Sequence, residues 1–137
     1  MPKFIKDSKK KVIYGNDGSP TQSKSNGSVV DMMERDWPEM MGEFRRIQEE
    51  QYELFATKQH DYGPGNISMG TDLKTESDIK LSLTALVVRV NDKVNRLVNL
   101  IIKRNSEGQA EPTMDAFKDI SVYGIIAQIV KNDKWGK

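Results

Sequence analysis

The apolar residues from Leu83 to Ile102 return every three or four positions, and that period most narrows what this chain can fold into. Leu83, Leu86, Val87, Val90, Val94, Leu97, Val98 and Ile101 form one wide stripe on a helix, continued by Ile102. A second run, Ile120 to Val130, contains no charged residue, so it is expected to form a central helix buried on most sides. A third pattern starts at Asp36-Trp37-Pro38, with proline suited to a first helical position and Glu39 in the first turn. There Met40, Phe44, Ile47, Gln51, Leu54 and Lys58 fall on one face. The expectation is an all-α protein, a bundle of three main long helices, too thin by itself and completed by oligomerisation.

Local signals bound these helices. Gly63-Pro64-Gly65 must stop the first, because proline lacks an amide donor and glycine takes non-helical dihedrals readily. A loop is expected from Asn66 to about Thr75, then Ser77 as cap of the second helix. Lys103 and Arg104 complement the dipole of its last turn, and Thr113 can cap the third. Asp31 to Arg35 reads as a short helical turn before the first long helix. Trp135, in the polar tail, is expected to pack back on the body or on a partner chain.

The first 28 residues differ from the rest. Six lysines and two aspartates fall in residues 1–28, against 15 basic and 18 acidic side chains in residues 29–137. Val12-Ile13-Tyr14 and the turn signal Asn16-Asp17-Gly18 suggest a hairpin, followed by a Ser/Gly/Asn-rich linker. The expected division is a basic, flexible arm over 1–28 and one all-α domain over 29–137. A net charge of +1 gives no reason to expect nucleic-acid binding. The chain has no cysteine, which removes disulfides and thiolate zinc sites and fits a cytoplasmic setting. No apolar run reaches the length of a membrane span.

The chemistry-bearing residues form two acidic pairs and a basic row. Glu50 and Glu53 are one turn apart on the first long helix, with Glu49 beside them, and Asp115 and Asp119 are one turn apart on the third. Asp119 sits between apolar positions, where a carboxylate is costly unless paired or metal-bound. Arg89, Lys93 and Arg96 make a row on the second helix with Asp92 close by. Inward carboxylates on facing helices are how bundles build metal sites, and oxygen ligands suit Mg2+ or Mn2+. The same acids and bases could equally form ordinary surface ion pairs. Lys58, the single His60, Asp61 and Tyr62 cluster at the helix stop, and Asn91, Asn95 and Asn99 recur at four-residue spacing. No P-loop, glycine-rich dinucleotide fingerprint or nucleophile elbow is present.

Three blocks carry a resemblance. They are Lys58-Gln-His-Asp61-Tyr62-Gly63, Arg89-Val-Asn-Asp92-Lys93-Val-Asn-Arg96-Leu97, and Asp115-Ala-Phe-Lys-Asp119-Ile-Ser-Val-Tyr123. In this order, over about residues 40–131, they resemble the phage family called nucleotide modification associated domain 1. That family is similar to the all-α nucleoside triphosphate pyrophosphatases, the group of MazG and dimeric dUTPases. The larger group's Glu-Glu-x-x-Glu motif is matched by Glu49-Glu50-Gln51-Tyr52-Glu53. Its later Glu-x-x-Asp motif is not, since Ala116 stands three residues before Asp119 and the nearest acid is Asp115.

The resemblance implies a magnesium-dependent hydrolase that releases pyrophosphate from a nucleoside triphosphate in a host cytoplasm, working as a dimer or tetramer. Glu50, Glu53 and Asp119 would hold the metal, with Asp115 and Glu49 as further ligands or base. Lys58, Arg89, Asp92, Lys93 and Arg96 would meet the substrate, chiefly its phosphates, and Asp61, Tyr62 and Asn66 would sit at its base and sugar end or in a closing loop. The imperfect second motif keeps a non-catalytic nucleotide-binding or interaction protein as the alternative.

Overall fold

The structure, a computed structural model, describes residues 28–137. The expected hairpin at Val12 to Gly18 lies outside the described residues. Within them the chain is all-α and forms no strand. Two helices open it, α1 (Val29–Asp36) and α2 (Pro38–Tyr62). The single turn α3 (Gly65–Ser68) precedes α4 (Glu76–Leu97), whose last turns widen into a π-helical stretch, Val98–Lys103. The last helix is α5 (Thr113–Lys131). No described helix is long and apolar enough to cross a membrane. The chain divides into two compact units, Met1–Gln48 and Glu49–Lys137, with the boundary inside α2.

In the first unit, Ser28 caps α1 by accepting from the Asp31 amide at 3.2 Å. Pro38 opens α2, where a missing amide costs nothing. Arg45 pairs with Glu34 at 3.1 Å, tying α2 to α1. Trp37, Met40 and Phe44 are exposed, and neither α1 nor α2 contains a fully buried residue.

The second unit is built on the α4–α5 pair, its largest packing interface, with α3 set against α4. Ile67, Leu86, Ile126, Val130 and Trp135 form its core, wrapped by Phe55, Leu73, Ile79, Leu83, Val122 and Tyr123. Each large apolar side chain buried here contributes roughly 1.5–3 kcal/mol. Trp135 packs back on the body as expected: its indole N–H donates to the Pro64 carbonyl at 3.0 Å and its ring meets Phe55 edge-on. That carbonyl belongs to the helix stop, so the C-terminal tail braces the break between α2 and α3. Ser82, fully buried, donates to the Ile67 carbonyl at 2.6 Å and holds α3 on α4.

Several local expectations are corrected. The segment after the helix stop is not all loop, since Gly65–Ser68 makes one turn and buries Ile67 and Ser68. Thr75, not Ser77, caps α4, because its hydroxyl reaches the Asp78 amide. Thr113 is the first residue of α5 rather than its cap; its amide and hydroxyl both donate to the Glu107 carboxylate at 2.8–3.0 Å. The two apolar helices are also buried on one side only. Leu86 is buried on α4, whereas Val87 is 66% and Ile102 75% exposed. On α5, Ala116, Ile126 and Val130 are buried, but Phe117 and Ile125 are exposed. Two packed helices can each cover one stripe, and these carry apolar residues on more than one.

Candidate functional site

Within the second unit, α2, α3, α4 and α5 enclose a pocket of about 370 Å³. Ligand pockets typically hold about 300–1,000 Å³. Gln51, Phe55, Gln59 and Tyr62 recur along α2 at steps of three and four, which turns one face of that helix into a wall. Val122, Tyr123 and Ile126 of α5 form the opposite, largely apolar wall, and Ile67 of α3 lies between. Gln51 Nε2 donates to Ser121 Oγ at 2.6 Å and straps the walls together.

Charged groups gather in this pocket from three helices. Glu50 and Lys58 come from α2, Arg89 from α4, and Lys118 and Asp119 from α5. Lys118 Nζ lies 3.3 Å from Glu50 Oε1, and Lys93 Nζ lies 3.0 Å from Asp119 Oδ2. The carboxylate of Asp119 holds the Lys93 ammonium above its ordinary lysine value, chiefly through this hydrogen bond. Arg89 donates to the Asn66 carbonyl at 3.1 Å, and its guanidinium lies 6.0 Å from the centre of the Tyr123 ring. Backbone and aromatic face together fix where that cation points. Lys58 has no ion-pair partner among the described residues.

Two polar atoms remain unmatched. Gln59 Oε1 and Asn66 Oδ1 are buried without a hydrogen-bond partner, and both residues line the pocket. A buried polar atom left in that state costs about 1–3 kcal/mol. No other buried side-chain nitrogen or oxygen is in this position among the described residues that are not themselves exposed.

The pocket thus brings together Glu50, Lys58, Tyr62, Asn66, Arg89 and Asp119, with Lys93 bound to Asp119. It does not include Glu49 or Glu53, which are exposed on α2, nor Asp92, exposed on α4. Asp61 is exposed and pairs with its neighbour His60 at 3.0 Å. Asp115 is half-buried in the first turn of α5, away from the pocket lining. Arg96 donates to the Glu111 and Pro112 carbonyls, so its guanidinium holds the α4–α5 connection. Gln51, Gln59, Lys118 and Tyr123 join the pocket without having been singled out as site residues. The available signal was the face they share with Phe55 and Val122, at helical spacing.

The donor set bears on a metal. Among the described residues no group of three or more His, Cys, Asp or Glu side chains is placed to hold one, so Glu50, Glu53 and Asp119 do not form a ready-made cage. Magnesium is, however, commonly held by one or two carboxylates, with water and substrate phosphates completing its shell. Glu50 and Asp119, on facing helices of one pocket, fit that smaller requirement. Compared with known protein families, curated proteins and solved structures, the chain matches none.

Proposed function

We propose that this pocket binds a nucleoside triphosphate and that the chain acts on it as a magnesium-dependent pyrophosphohydrolase. One observation carries the reading: Glu50 and Asp119, from separate helices, share a pocket with Lys58, Arg89 and Lys118. The three sequence blocks that resemble the nucleotide modification associated domain 1 family contribute Lys58, Tyr62, Arg89, Asp119 and Tyr123 to the same lining.

Lys58, Arg89 and Lys118 supply cations for a polyphosphate, and the Tyr62, Tyr123 and Val122 side suits a base or sugar. Glu50 and Asp119 would hold magnesium, which would supply charge neutralisation at the phosphates. In the reaction a water oxygen bonds to the α-phosphorus, the bond from that phosphorus to the α–β bridging oxygen breaks, and pyrophosphate leaves. The water's proton needs a carboxylate. Glu49 and Asp115 do not line the pocket, which leaves Glu50 or Asp119 for that task. Lys118 and Lys93, seated on these two acids, would transfer their hydrogen bonds to phosphate oxygens when substrate enters.

A second reading has its own support. Both pocket carboxylates already have a lysine partner, which favours a pocket that binds nucleotides without metal. A panel of deoxynucleoside triphosphates with magnesium, assayed for pyrophosphate release, separates the two. Turnover lost in Glu50→Gln supports the hydrolase. No turnover of any substrate, with wild type equal to Glu50→Gln, removes it, and a thermal shift with nucleotide alone then supports the binder. Ligand at a hundred times its Kd should add about 2.7 kcal/mol to stability.

The apolar residues left exposed, among them Val87, Ile102 and Phe117, support a homo-oligomer. A monomer mass by light scattering across the micromolar range would overturn that part.

A further inference from the structure

We propose that Gln59 and Asn66 select the nucleobase, favouring one that carries an exocyclic amine over its oxo counterpart. The inference rests on the nucleotide reading above and deepens it. Its starting point is the pair of buried oxygens, Gln59 Oε1 and Asn66 Oδ1, which accept nothing from the protein. They flank the helix stop, Gln59 in the last turn of α2 and Asn66 in α3, and both residues line the pocket. Among the described residues that are not themselves exposed, no other buried side-chain polar atom lacks a partner, so the deficit there is confined to this one place.

The neighbours explain why these amides are held in position yet left unmatched. Arg89 grips the backbone carbonyl of Asn66 at 3.1 Å, which fixes the residue while its side-chain amide stays uncommitted. Trp135 holds the Pro64 carbonyl at 3.0 Å, which fixes the turn that separates Gln59 from Asn66. Both wall residues are therefore anchored through the surrounding backbone. Tyr62 and Tyr123, on the same lining, offer flat surfaces against which a planar ring can lie.

The chemistry of the missing partner follows from donor counting. An amide oxygen accepts, and two of them need two N–H donors. The amino group of cytosine or of adenine supplies both hydrogens from one nitrogen. Uracil and hypoxanthine carry an oxo group instead, which would set acceptor against acceptor. A half-turn of either amide replaces the oxygen by its NH2 group, and the matched pairs below distinguish that orientation by reversing the preference. A site that hydrogen-bonds a substrate group rejects the analogue lacking it far more strongly than an apolar pocket does.

The experiment measures Kd by calorimetry for dCTP against dUTP, and for dATP against dITP. At least one amino nucleotide should bind ten-fold or more tightly than its oxo partner. Gln59→Met keeps the length and removes the acceptor; it should bring that ratio close to one while raising the melting temperature of the ligand-free protein. Gln59→Glu, which retains an acceptor oxygen, should keep the preference. Oxo nucleotides bound as tightly as or more tightly than amino ones in every pair would overturn the proposal. So would a ratio unchanged in both Gln59→Met and Asn66→Leu with their folds intact by circular dichroism. If no nucleotide binds the wild type, the nucleotide reading itself fails, and base selection falls with it.

Discussion

The polar groups that hold the fold and those that line the pocket are treated in opposite ways. At the α4–α5 connection the bracing groups are committed: Arg96 to two carbonyls, Glu107 to both donors of Thr113, and the Gly108 amide to Ser106 Oγ. Behind the pocket, Trp135 and Ser82 are likewise matched to single carbonyls. In the pocket, two buried amide oxygens have no partner, and Lys58 has none among the described residues. Stability alone would remove the unmatched atoms, since each costs more than an apolar replacement would. Their presence beside a cluster of cations marks the pocket as the place where the molecule gives up stability, which the proposed nucleotide site would recover on binding.

Removing a committed group should therefore reduce stability, and the largest effect belongs to Trp135. Trp135→Ala deletes a core ring that is 8% exposed, its contact with Phe55 and the bond to Pro64. A loss of about 3–5 kcal/mol is expected, read from urea unfolding. Because the tail braces the helix stop, nucleotide binding should weaken as well. A loss below about 1 kcal/mol would show that the tail does not belong to the core.

Next in size is Gly108→Ala. Gly108 has φ +104°, and a Cβ there would stand 2.8 Å from the Glu111 carbonyl and 3.2 Å from the Arg96 guanidinium. Backbone strain of that kind costs about 1–3 kcal/mol, to which the overlap adds. The nucleotide Kd should change little, because the pocket does not include this loop. A variant that loses binding but not stability would contradict the division between the two regions.

The same division explains what could be read in the sequence. Punctuation carried by proline and glycine was local and therefore visible: Pro38 opens α2 and Gly63-Pro64-Gly65 ends it. Glu50, Lys58, Arg89 and Asp119 could be named because charged rows and three short blocks carry them. Arg96 shares a row with Arg89 and Lys93, yet the chain beyond the π-helical stretch brings two carbonyls to it, a contact that helical spacing cannot reveal. Gln59 was hidden for the opposite reason. An uncharged amide near a helix end reads as surface, and only the tertiary packing around it buries its oxygen. One-sided burial of α4 and α5 was equally invisible, since periodicity reports an apolar face but not what covers it.

Pocket cations should show the reverse pattern from Trp135 and Gly108. Lys58→Ala removes an exposed side chain with no ion-pair partner among the described residues, so unfolding free energy should stay within about 0.5 kcal/mol of wild type. Nucleotide affinity should fall roughly ten-fold, the equivalent of one charge-assisted hydrogen bond of about 1.4 kcal/mol. The loss should shrink from triphosphate to monophosphate as phosphate charge is removed. Equal losses for both would place Lys58 at the sugar or base instead.

The smallest effect is expected from Lys93→Met, where the two roles meet in one ion pair. Lys93 and Asp119 are each 30% exposed, so solvent screens their attraction, and the pair should contribute only about 0.5–1 kcal/mol. The sign of its pH dependence follows from the raised lysine value. Folding favours the protonated amine, so the contribution is fully present below the ordinary lysine pKa of about 10.4 and is lost as pH climbs through the raised one. Wild type and Lys93→Met should therefore differ in stability at pH 7 and converge only in strong alkali. If substrate phosphates draw Lys93 away from Asp119, the variant should also weaken nucleotide binding by more than the stability change suggests. Unfolding curves from pH 7 into strong alkali beyond the raised lysine value, paired with Kd at pH 7, measure both. A constant stability difference across that range would mean that Lys93 contributes through its aliphatic stem rather than its charge.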